Sequence, residues 1–152
     1  MTDPIPLGMV GGGEGAFIGA LHRIAARMDG HFLLTAGALS SDAARAEASA
    51  RALGLDRSYA DFREMAQAES ARPDGIKAVS IVTPNHVHAA AAVAFLDAGI
   101  HVICDKPLAA TAHQAQQIAD AARRSTARFS SRIITAPTHL CARPARWWPR
   151  AR

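Results

Sequence analysis

The stretch that most constrains this chain runs from Ile5 to Gly19 and reads IPLGMVGGGEGAFIG. A short apolar run (Ile5, Leu7, Met9, Val10) leads into Gly11, Gly12, Gly13 and Gly15, and then into Phe17, Leu21 and Ile24 at i, i+4 and i+7. That order predicts a strand, a glycine turn and a helix. Gly11 and Gly13, with Ala16 as the third small residue, fit G-x-G-x-x-G/A. The first glycine makes the tight turn, the second lets a pyrophosphate approach the backbone, and the third small residue lets helix and strand pack closely. A helix starting here offers unbonded N–H groups and the positive end of its dipole to phosphate, which brings Phe17 and Ile18 into the candidate set. A glycine cluster also serves as a plain strand–helix turn, so the rest of the chain must decide.

The rest of the chain repeats the alternation. His31–Ala38 reads as a second buried strand, apolar nearly throughout as parallel strands are, after a helix that Asp29-Gly30 ends. Asp42 can cap a helix over Ala43–Leu53, closed by Gly54. Ser58–Ala60 is a short third strand, Asp61 caps a helix to about Ala68, and Ser70–Gly75 is a polar loop. Ile76–Thr83 is a fourth strand, followed by a helix to Ala98 that Gly99 closes. His101–Cys104 is a fifth strand, and Thr111 caps a helix to about Ser125. Alternating β and α segments imply one α/β domain with a Rossmann-like, doubly wound parallel sheet and right-handed crossovers. In such a sheet ligands sit at the carboxyl ends of the strands, near the switch point. The glycine turn, Ser40-Ser41, Thr83–His88 and Asp105-Lys106 all fall there.

Several of these residues carry chemistry. After the second strand a dinucleotide fold often places an acid for the adenosine ribose; here stand Ser40 and Ser41, with Asp42 committed to a helix start. Their hydroxyls, helped by Arg45, could instead accept a 2′-phosphate, so both NAD and NADP stay open. Pro84 suits a helix start because its missing N–H is not needed there. His86 and His88 could be read as a metal pair, but no further ligand spacing supports it and no metal is expected. Asn85 or His88 is better read as a ribose or nicotinamide contact, and Thr83 and Pro84 as the turn beside it. Lys106 beside a hydride-transfer site can hydrogen-bond the substrate oxygen and move its proton. The plainer alternative is a surface pair between Lys106 and Asp105.

With these residues assembled, the chain resembles the N-terminal domain of the glucose–fructose oxidoreductase/inositol dehydrogenase (Gfo/Idh/MocA) family. The similarity lies in GMVGGGEGAFIGALHR and AVSIVTPNHVHAAAAVAFLDAGIHVICDKPLA, in that order, over residues 5 to about 125. The family's Glu-Lys-Pro stands here as Asp105-Lys106-Pro107, and its T-P-N-x-x-H as Thr83, Pro84, Asn85 and His88. The resemblance implies an NAD- or NADP-dependent oxidoreductase acting on a sugar-like or cyclitol hydroxyl. By it, Lys106 is the catalytic, proton-relay lysine, Asp105 and His88 approach the nicotinamide side, and intact members are often homo-oligomers. Two departures stand out. Ser40 occupies the place of the usual ribose acid, and the family's C-terminal substrate domain, with the usual catalytic histidine, is missing, so this chain is expected to be inactive by itself.

Charge separates the last stretch. Residues 1–125 hold eleven basic and thirteen acidic side chains, whereas 126–152 hold six arginines, no acid, three prolines and both tryptophans. The reading is a nucleotide-binding domain over 1–125 and a non-native tail over 126–152. Freely chosen synonymous codons, read from the last base of the Thr126 codon, can give GAFLVTHNYSAYPLVRQARAMVA, so the tail is expected to be frame-shifted. That would remove a sixth strand, leaving an unpaired sheet edge or one covered by Arg128–Ile134. The alternative function is a non-catalytic Rossmann module that keeps the dinucleotide site without the reaction; a basic arm for nucleic acid, with Trp147 and Trp148 stacking on bases, is the weaker one. A start without a basic, apolar leader, the lack of a long apolar run, and two cysteines (Cys104, Cys141) without metal or redox spacing point to a cytoplasmic protein without a membrane anchor.

Overall fold

The computed structural model describes residues 3–131. Eleven elements alternate along it: β1 Ile5–Gly11, α1 Phe17–Arg27, β2 Phe32–Ala38, α2 Ala43–Ala52, β3 Arg57–Ser58 and α3 Phe62–Ser70. Then come β4 Ala78–Val82, α4 Asn85–Asp97, β5 His101–Cys104, α5 Ala112–Arg124 and β6 Phe129–Ser131. The strands form one sheet in the order β3-β2-β1-β4-β5-β6, with every pairing parallel. This is the doubly wound order expected, and it puts the switch point between β1 and β4.

Burial follows position in the sheet. All five residues of the central β4 are buried, as a strand covered on both faces requires. One face packs on α3, α4 and α5, with Val79, Ile81, Val102 and Cys104 against Phe95, Leu96 and Ile118. Helix α4 sits close because Ala89, Ala91 and Ala92 face inward. Phe95 is fully enclosed, a burial that stabilises the fold by about 1.5–3 kcal/mol. The other face holds Met9, Leu39, Ala50 and Val82, with Ile18 and Leu34 at the margin.

The caps fall where the sequence put them. Asp42, Asp61 and Thr111 accept first-turn N–H groups at α2, α3 and α5, and Gly30 takes a left-handed conformation just past α1. Strand β3 comes earlier than Ser58–Ala60, at Arg57–Ser58. Arg57 is drawn in by Glu69, so the chain is already in register with Ala36 there. Glu69, expected beyond the helix end, is inside α3 and almost wholly buried. Its carboxylate accepts from Arg57 Nε at 2.7 Å, the Tyr59 hydroxyl at 2.8 Å and the Ile76 N–H at 3.0 Å. These donors outweigh the desolvation that pushes its carboxyl up, and hold it below the usual range.

The fold continues past the expected boundary at Ser125. Ala127 is buried, and Phe129–Ser131 pair with Val102–Cys104, so of the two expected states of the β5 edge the one covered from within Arg128–Ile134 is found. The reading of the basic tail as frame-shifted, Trp147, Trp148 and Cys141 included, otherwise lies outside the described residues. Among those residues no helix is long and apolar enough to cross a membrane.

Candidate functional site

At the carboxyl ends of β1, β2 and β4 lies a cleft of about 770 Å³. Gly11, Gly13, Gly15, Ala16, Ser40, Ser41, Thr83 and Pro84 all line it, as does Arg45. Sequence reasoning missed Gly12, Ser49, Asp61 and Phe62 on its wall. A larger groove of about 840 Å³ over α3, α4 and α5 contains none of the expected site residues.

The glycine turn is tight on both sides. Gly11 and Gly12 take φ of +76° and +72°, where a side chain would be strained. A Cβ on Gly13 would stand 2.9 Å from the Leu39 carbonyl oxygen and from Ser49 Oγ, so the β2 end presses directly on the turn. Ser49 Oγ accepts the Glu14 N–H at 3.1 Å, and Arg23 donates to the Gly12 carbonyl at 2.6 Å. The close helix packing expected of Ala16 is made by Gly19, whose added Cβ would lie 2.5 Å from Gly12 Cα. Ala16 is instead the extended N-cap. A glycine inside an otherwise helical pattern was the available signal for Gly19.

The two helices that start at this switch point differ from the other three. α1 and α4 begin at Ala16 and Pro84 with no side-chain cap, while α2, α3 and α5 are capped. In α1 the first bond of the helix runs from the Ala20 N–H to the Ala16 carbonyl, leaving Phe17, Ile18 and Gly19 without an intrahelical acceptor. The Phe17 side chain is exposed and that of Ile18 packs inward, so their contribution to an anion is their backbone. Ser40 Oγ accepts the Asp42 N–H, and Asp42 accepts from the Arg45 N–H, so that acid is spent on α2.

The second cluster of expected residues lies behind the cleft, at the ends of β4 and β5. His88 does not reach out to a ligand as expected. It is buried, with Nδ1 2.9 Å from the Pro107 carbonyl oxygen and Nε2 2.8 Å from that of Thr83. Its place on the first inward turn of α4 makes it a strut between the two turns: both nitrogens face carbonyl oxygens, and a ring with a single N–H donates to one of them. Asn85 is the first residue of α4 and half-buried. Asp105 is also buried, and its N–H donates to Ile81 O at 2.9 Å. It makes no surface pair with Lys106. The group facing it is His22, with Nε2 3.6 Å from Asp105 Oδ1 and Nδ1 2.8 Å from Ser80 Oγ. Burial pushes the His22 imidazole below its ordinary value, and the opposing pull of Asp105 does not restore it. Burial, with Asp105 nearby, also pushes the Cys104 thiol up to about 12. Lys106 is exposed and is not among the residues that line the cleft. Among the described residues no three His, Cys, Asp or Glu side chains converge as a metal site.

A family model described as an oxidoreductase family with an NAD-binding Rossmann fold matches residues 5–132. The chain belongs to the Gfo/Idh/MocA family. A crystal structure of an oxidoreductase from Sinorhizobium meliloti is 59% identical with a TM-score of 0.82, over 86% of this chain and 37% of that one. An inositol dehydrogenase homologue from Azotobacter vinelandii, solved with NADH and myo-inositol, is 41% identical with a TM-score of 0.81, over 86% and 35%. The uncharacterised oxidoreductase YfiI of Bacillus subtilis is 44% identical over 78% of this chain and 31% of its own length. The chain thus spans about a third of the length of these Gfo/Idh/MocA relatives. The residues present fit the family's dinucleotide: a turn too tight for a Cβ at Gly12 or Gly13, and open amides at the start of α1.

Proposed function

We propose that this chain binds NAD or NADP in the β1–β4 cleft and presents Lys106 to a sugar-like or cyclitol hydroxyl. The observation that carries the reading is the pairing of a Cβ-free turn with an uncapped α1, both opening on the switch point. When bound, the nicotinamide supplies the hydride acceptor or donor. The backbone of Gly13–Ile18 holds the pyrophosphate, and the dipole of α1 favours its charge. Thr83 and Pro84 form the wall at the β4 end, with Asn85 next to them at the start of α4. Ser40 and Ser41, with Arg45 on the same cleft, face the ribose, and with Asp42 engaged by α2 the balance leans slightly to NADP. Lys106 Nζ hydrogen-bonds the reacting oxygen, taking its proton in oxidation and returning it in reduction. His88 keeps the Lys106-Pro107 turn against β4 through two carbonyl contacts.

The substrate class follows from the resemblance in the Asp105-Lys106-Pro107 and Thr83–His88 segments. The A. vinelandii homologue, solved with myo-inositol, supports a polyol. Lys106 is exposed, with nothing to exclude water above it among the described residues, so slow or absent turnover is expected of the 152-residue chain. Calorimetric titration with NAD and NADP tests the reading. Saturable binding of either, abolished by Gly13→Val, is expected; no binding of either by the folded chain would refute it. Robust NAD(P) reduction with polyols by this chain would refute the expectation of slow turnover.

A further inference from the structure

We propose that His22 is a positioning residue that holds the Asp105 carboxylate inside the sheet edge and so keeps it off Lys106. Neighbouring opposite charges at a strand end ordinarily pair across the surface, yet here the acid is buried, the lysine is exposed, and no ion pair joins them among the described residues. A buried carboxylate needs a partner. Asp105 Oδ1 and His22 Nε2 are both shielded from solvent and have no hydrogen-bond partner other than one another's vicinity, 3.6 Å apart. That is slightly long for a direct hydrogen bond, and within reach of one after a small rotation of either side chain.

His22 is itself anchored. Its Nδ1 lies 2.8 Å from the hydroxyl of Ser80, which is buried in the middle of β4. With Ser80 donating to Nδ1, the single proton of a neutral ring sits on Nε2 and points at Asp105. Burial favours that neutral ring. The order serine, histidine, aspartate has the look of a nucleophile's triad, but Ser80 opens on no cleft, so the array acts as a strut. The titratable groups around the turn are Asp105, Lys106 and Cys104 on it, His22 from α1 and His88 from α4. His22 shares α1 with the phosphate-facing amides, so one helix seats the dinucleotide at its start and the reactive turn on its side. The consequence depends on the reading of Lys106 as the substrate lysine: an amine not paired with its own neighbour is available to a substrate oxygen.

The test uses the 152-residue chain, which has only two lysines, Lys77 and Lys106. Both are exposed, so acylation of Lys106 can be read against Lys77 by peptide mass spectrometry. His22→Leu should free Asp105 to pair outward and slow Lys106 relative to Lys77 by about twofold to fivefold, the span of an exposed ion pair. His22→Gln, which keeps a donor near the Nε2 position, should retain the native ratio. The double change His22→Leu with Asp105→Asn should restore it. An unchanged ratio in folded His22→Leu, or no restoration in the double variant, would overturn the proposal. Histidine nitrogen NMR of the unaltered chain needs no variant to fold: a proton on Nε2 of His22 supports the strut, and one on Nδ1 removes it. Neither readout uses a dinucleotide, so failure to bind NAD(P) would strike the proposed function and leave this inference intact.

Discussion

Gly19→Ala sets two effects of opposite sign against each other. In an ordinary exposed helix, glycine to alanine stabilises by about 1 kcal/mol. Here the new Cβ would meet Gly12 Cα at 2.5 Å and the Gly12 carbonyl oxygen at 2.7 Å, both backbone atoms. Relief to ordinary contact requires α1 and the turn to separate by roughly 1 Å, and overpacking of this kind costs about 1–3 kcal/mol. Arg23 resists the separation, since it ties α1 to the same Gly12 carbonyl at 2.6 Å. The steric cost should therefore win, with a net loss of about 1 kcal/mol by urea unfolding. The same displacement moves the α1 amides away from Gly13, so calorimetric affinity for NAD(P) should fall about tenfold or more. A variant that gains stability and binds the dinucleotide unchanged would refute the assignment of Gly19 to the cradle.

Four further outcomes follow from the same structure. Removing one partner of the buried Glu69 network, as in Glu69→Ala, should cost about 3–5 kcal/mol in chemical denaturation, because Arg57 and Tyr59 lose their shared acceptor. The Glu69 carboxyl is held below its ordinary value of 4.5, so its stabilisation is complete above that pH and disappears as pH falls through the lowered folded value; Glu69→Gln should flatten this acid limb of the stability profile. Burial, with Glu69 beside it, pushes Tyr59 up from 10.0 to about 12, so the chain's single tyrosine should ionise late in a near-ultraviolet alkaline titration, with stability falling as pH rises between those values. Arg45→Ala should weaken NADP by about tenfold in calorimetry while leaving NAD nearly unchanged, and equal losses for both would remove Arg45 from 2′-phosphate recognition.

What the sequence disclosed was whatever is local and periodic. The alternation of strand and helix, the caps Asp42, Asp61 and Thr111, and the glycine turn each depend on a few adjacent residues, and the sheet order followed from them. Contacts between distant segments were less legible. Glu69 drew no reading of its own, because its partners come from β3, the residue after it, and the turn before β4. His22 gave no sign of itself, since Ser80 and Asp105 meet it only after α1 lies on β4. His88 belonged to a family pattern that suggested a ligand contact, but the inward phase of α4 turns it to two carbonyls instead. The boundary at Ser125 followed composition, while β6 needs only backbone pairing to β5 and the half-buried Phe129.

The widths of the strands carry one more consequence. Towards the β3 side the sheet tapers from seven residues in β1 and β2 to two, so that flank is its shortest described strand. A ladder that short offers a foreign strand few free N–H and C=O groups. The β3 edge is thus guarded against edge-to-edge stacking by its own shortness.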